Sequence, residues 1–111
     1  MALVVFRSKA AAEIFMFAET AQRLLQIIGK QQGARGLIRA EEVADALHQL
    51  LGAVEQEKAD LRQERARREP DERAGNAYGE PAPITLAQRA FPLIEMLRAA
   101  QRKQVDVTWG I

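Results

Sequence analysis

Residues Ser8 to Gly29, SKAAAEIFMFAETAQRLLQIIG, carry the densest apolar pattern of the chain, and how this stretch is read decides the fold. Ile14, Phe17, Ala18, Ala21, Leu24, Leu25 and Ile28 recur at the spacing of one helical face. Ser8 offers an N-cap and Gly29 a C-terminal stop. The spacing predicts one helix over Ser8–Gly29, roughly 31 Å long at 1.5 Å per residue. On a wheel of about 100° per residue, Met16 and Ile27 fall about 20° apart on the side opposite that stripe, with Phe15 on the flank. The favoured account is a helix sandwiched between a sheet and other helices. The alternative places Met16 and Ile27 against a second subunit.

Before this stretch, Ala2 to Phe6 (ALVVF) is β-branched and aromatic and is closed off by Arg7 and Ser8, as a short buried strand would be. After it, Gly29 to Gly36 (GKQQGARG) is a glycine-rich loop, and Leu37 and Ile38 form at most a short extended bridge. A second helix starts near Ala40, with Glu41 and Glu42 in a first turn where the helix dipole favours anions. Its apolar stripe is Val43, Leu47, Leu50, Leu51, Val54 and Leu61. From Arg62 to Arg73 (RQERARREPDER) only mixed charges follow, and this part is expected to project into solvent and end before Pro70. Residues 70 to 83 (PDERAGNAYGEPAP) hold three of the four prolines and read as a linker or mobile surface loop.

A third helix begins at a Thr85 to Gln88 capping box, with Leu86, Ala90, Leu93, Leu97 and Ala100 as its stripe. Pro92 removes a hydrogen bond to the Gln88 carbonyl and predicts a kink or restart that turns Phe91 inward. The closing Val105 to Trp109 (VDVTW) alternates as a half-buried strand. Two terminal strands with no other partner should pair with each other. The chain is expected to be one α+β domain over 1–111, its small sheet formed mainly by the N- and C-terminal strands and packed against three helices, with a mobile charged and proline-rich segment at about 66–83. The alternative is a three-helix bundle whose terminal strands pair between subunits.

Composition excludes several classes. Sixteen basic and fifteen acidic residues leave a net charge of +1, which gives no general attraction to nucleic acid, membrane or acidic substrates. The absence of cysteine rules out a disulfide framework, a thiolate nucleophile and sulfur-ligated metal sites, and fits a reducing compartment. The first apolar run is too short for a signal segment, its cations follow it, and no stretch reaches membrane-spanning length. A cytoplasmic location is expected.

The blocks LVVFRSKAAAEIFMF, LLQIIGK, LAQRAFPLIEML and VDVTWG resemble a family of short bacterial proteins known as domain of unknown function 1840. The resemblance spans nearly the whole chain except about 62 to 83. It implies a stand-alone cytoplasmic bacterial protein and carries over no activity, catalytic residue or cofactor.

The residues themselves offer little chemistry. His48 is the only histidine, and Glu41, Asp45, His48 and Glu55 lie within about 80° on the polar side of the second helix. Glu41, Asp45 and His48 are thus weak candidates for one metal ion, against a merely solvated helix face. Gly29, Gly33 and Gly36 match no phosphate-loop spacing, so a plain turn is the better reading. The basic residues Lys58, Arg62, Arg65, Arg67, Arg68 and Arg73 are interleaved with acids and lack stacking aromatics, which disfavours nucleic acid as partner. Trp109 reads as a packing residue, with a subunit contact as the alternative. The sequence therefore points to a small non-enzymatic interaction protein that associates with itself or another protein, with no cofactor. Phe15, Met16, Ile27 and Trp109 are its candidate interface residues, and a binder of a metal or small ligand is the alternative.

Overall fold

The computed structural model describes residues 2–30, 35–67 and 85–110. Four strands and three helices follow in the order β1 (Leu3–Ser8), β2 (Ala11–Phe17), α1 (Ala18–Ile27), β3 (Arg35–Ile38), α2 (Ala40–Arg67), α3 (Leu86–Lys103) and β4 (Val107–Gly110). The strands form one antiparallel sheet in the order β2-β1-β4-β3. This is the expected α+β class, and the terminal strands do pair, with Phe6 opposite Trp109 and Ser8 opposite Val107.

The single helix expected over Ser8–Gly29 is corrected: its first half is strand β2, joined to β1 by a turn at Lys9 and Ala10. The reason is a coincidence of periods. Ile14 and Met16 share a face at strand spacing, and the inward pair fits the sheet, whereas Ile14, Phe17 and Ala18 share a face only if the backbone is helical. Helix propensity in AAAE amounts to tenths of a kcal/mol per residue, and a β1 edge lined by Val4 and Phe6 offers the same segment a full ladder of hydrogen bonds. Met16 faces Val4 and Ile14 faces Phe6, and the register shifts beyond Phe6 so that Ser8 meets Ala11.

The second half of the stretch is the helix its pattern describes. Ala21, Leu24, Leu25 and Ile28 are buried. Gly29 takes a φ of 80°, and the amides of Gly29 and Lys30 bond the carbonyls of Gln26 and Leu25 in the paired pattern that closes a helix at a left-handed residue.

The bridge expected at Leu37 is a full strand, β3, pairing Ile38 with Val107 and Gly36 with Trp109. In α2 the buried stripe is Val43, Ala46, Leu47, Leu50 and Val54, so it stops earlier than expected and Leu61 is exposed. The last turns of α2 outrun the elements that cover it. Helix α3 packs along α2 and also meets β2, β1 and β4. Its start is fixed twice: the Thr85–Gln88 capping box forms, and the Glu57 carboxylate of α2 accepts the Leu86 amide at 2.8 Å. Helix α3 continues through Pro92, which lies on its exposed side, and Phe91 stays in solvent rather than turning inward. Of the segment expected to be mobile at 66–83, residues 66 and 67 belong to α2 and residues 68–83 lie outside the described residues.

The core lies on one face of the sheet. Val4, Phe6, Ile38, Val107 and Trp109 point from the strands onto the buried faces of the three helices.

Candidate interaction surface

The opposite face of the sheet has no layer over it among the described residues. Strand alternation puts Leu3, Val5 and Arg7 of β1, Glu13, Phe15 and Phe17 of β2, Arg35 and Leu37 of β3 and Thr108 of β4 on that face. Four of its apolar members are exposed, Phe15 by 63%, Phe17 by 57%, Leu3 by 46% and Leu37 by 39%, and Val5 is half-buried among them. The first three are neighbours, since Leu3 sits directly opposite Phe17 and Val5 opposite Phe15. Arg7 and Glu13 close the other end of this patch with a charge-assisted bond of 3.0 Å. Both partners are largely solvated, so the pair orders the surface more than it stabilises the fold.

The candidate interface residues fall on different sides of the molecule. Phe15 is on the open face, whereas Met16 and Ile27 are half-buried and packed against the core. Trp109 is in the core, its ring 6.5 Å from that of Phe6 and lying against the backbone of Gly36. Phe17, read as part of the buried stripe, is instead exposed, because in a strand it shares a face with Phe15. Leu3, Phe17 and Leu37 were missed as surface residues. The period-two pairs Leu3/Val5 and Phe15/Phe17 are the signal that would have found them.

Glu41, Asp45 and His48 are all exposed along α2, and among the described residues no group of three His, Cys, Asp or Glu side chains is placed to hold a metal ion. The polar groups near the start of α2 do structural work instead. Asp106 Oδ1 accepts the Ala40 amide at 2.7 Å and its carbonyl accepts the Ser8 hydroxyl at 2.9 Å, tying β4, β1 and α2 together. Glu42 accepts from Lys30 Nζ at 2.7 Å and from the Arg39 amide at 3.0 Å. The Lys30 bond first, then the Arg39 amide, holds the Glu42 carboxyl below its ordinary pKa. A cleft at the β1–β2 turn is lined by Arg7, Ser8, Lys9, Glu13 and Asp106, charges of both signs without a histidine or an unengaged nucleophile–base pair. No described helix is long and apolar enough to cross a membrane.

The fold thus defines a small α+β protein with a four-stranded antiparallel sheet covered on one face and, among the described residues, open on the other. Residues 2–109 match the family described as domain of unknown function (DUF1840), and the chain belongs to it. No curated protein and no solved structure matches it.

Proposed function

We propose that this protein is a small non-enzymatic interaction module that self-associates through the β2 side of its sheet, where exposed aromatic rings stand on the open face. The observation that carries this reading is the contiguous patch of Leu3, Phe15 and Phe17, three large apolar side chains held outside the core on rigid paired strands. Aromatic anchors on a preorganised surface are what a protein interface spends its binding energy on. A cytoplasmic setting belongs to the same reading, since a chain without cysteine draws nothing from an oxidising compartment.

Native mass spectrometry and light scattering across a concentration series test it. The expected result is a simple multiple of the 12.4 kDa chain that shifts to the single-chain mass in the double variant Phe15→Ser, Phe17→Ser. A single-chain mass for the unaltered protein at every concentration overturns it.

A further inference from the structure

The two edges of the sheet are unlike. Strand β3 is four residues long, with Arg35 and Gly36 at its start. Strand β2 is seven residues long, has no proline and carries Glu13 as its one charge. Natural sheets blunt their edges with charge, proline or short strands, and β2 uses little of this.

The backbone of β2 also has a definite sense. The Ala18 amide donates to the Ala2 carbonyl at 3.0 Å, which makes Ala2 and Ala18 a hydrogen-bonded pair. Alternation along the ladder then makes Val4 with Met16 and Phe6 with Ile14 bonded pairs, and leaves Leu3 with Phe17 and Val5 with Phe15 non-bonded. The amides and carbonyls of Phe15 and Phe17 therefore point away from β1 along the free edge. Among the described residues no strand pairs with them, and the Phe17 carbonyl, at the N-cap of α1, takes the first bond of that helix.

Resting on the self-association reading, we infer that the second copy docks edge to edge, β2 against β2 in antiparallel sense about a two-fold axis at Phe15, to give one continuous eight-stranded sheet. Phe15 of each copy then exchanges backbone bonds with its counterpart, and Phe17 stands opposite the other copy's Glu13. Charge bears on the occupant and ring contact on the register. Glu13 is already neutralised by Arg7 of its own chain, so the edge carries no unbalanced charge that would choose an acidic or basic peptide. About Phe15 the two Glu13 residues lie four residue steps apart, about 14 Å along the strands. Sliding the axis toward Glu13 parts the Phe15 rings of the two copies. Sliding it the other way runs more of the partner into the first turn of α1. About Phe15 the aromatic rings of both copies form one cluster on the open face, so the hydrogen bonds and the apolar burial favour the same arrangement.

Amide exchange on the unaltered protein, read residue by residue by nuclear magnetic resonance at low and high concentration, tests the arrangement alongside the mass measurement. The expected result is association together with at least tenfold slower exchange of the Phe15 and Phe17 amides at high concentration. Two variants sharpen it. Phe15→Pro, which removes an amide the fold itself does not use, should weaken association at least tenfold more than Phe15→Thr, which removes only the ring. Leu37→Lys, on the far side of the open face, should leave association unchanged. Association with the two amides exchanging at the dilute rate, or loss of association in Leu37→Lys, means face-to-face stacking and overturns the edge arrangement while the self-association reading stands. A single-chain mass throughout overturns both.

Discussion

Phe6 and Phe15 sit on adjacent strands, one residue step apart in register, and meet opposite fates: Phe6 is fully buried against Trp109 and Phe15 is mostly in solvent. The same contrast runs through the whole sheet. Val4, Phe6, Ile38, Val107 and Trp109 on one face are sealed beneath the helices, while Leu3, Phe15, Phe17 and Leu37 on the other are open. Apolar residues on the buried face are explained by folding. Those on the open face gain less from it, and the proposed self-association rests on them.

The largest expected effect comes from the buried side. Phe6→Ala empties a site at the centre of the sheet, and deletion of a fully buried ring costs about 3–5 kcal/mol. Denaturant unfolding should show this as a lower midpoint with little change in slope. A loss below about 1 kcal/mol would mean that the two faces are not as different as their exposure implies.

Next in size is Gly36→Ala. A methyl group there would occupy space held by the Trp109 indole, which is itself packed in the core and cannot swing away freely. Overpacking of this kind costs about 1–3 kcal/mol. Gly36 is thus required by close approach and not by a turn. Glycine at Gly29 answers to the other cause, a left-handed backbone at the end of α1.

How much of this contrast was legible in the sequence follows from the particular residues. The terminal strands declared themselves because VVF and VTW have no helical reading, and the buried faces of α2 and α3 followed from their 3.6-residue period. The stretch from Ala11 to Phe17 did not declare itself. Its apolar residues satisfy a helical stripe and a strand alternation at once, and only the presence of β1 as a partner breaks the tie. That one ambiguity hid the open face, since Phe17 counts as core in a helix and as surface in a strand. Leu37 was hidden for a related reason: a four-residue strand flanked by glycine carries too few alternations to register. The role of Asp106 at the start of α2 joins residues far apart in the chain, and no local pattern announces such a contact.

The polar contacts that hold the covered face in place give smaller effects. Asp106→Ala leaves the Ala40 amide without its acceptor and should cost about 1 kcal/mol, as for loss of a helix cap. The same variant should speed amide exchange at the start of α2 without affecting β2. At Glu42 the sign of the pH dependence follows from its lowered carboxyl pKa. A carboxylate held below its unfolded value contributes stability that is present above that unfolded value and is lost as pH falls through the folded one. Titration followed by carboxyl chemical shift should give Glu42 a midpoint below that of an ordinary glutamate, and Lys30→Gln should raise it. An unchanged midpoint in that variant would remove Lys30 as the main cause.

The smallest expected effect is the most telling. Phe15→Ser, measured on dilute protein so that association adds nothing to stability, should change the unfolding free energy by within about 0.5 kcal/mol, because the ring leaves solvent for nothing in the folded chain. Phe6→Ala and Phe15→Ser then form a matched pair: two phenylalanines of one sheet, one of which holds the fold and the other of which does not. At high concentration the Phe15→Ser chain should lose association while its stability in dilute solution stays level. A substantial loss of stability in dilute solution would instead make Phe15 a part of the fold, and the open face would no longer need a partner to account for it.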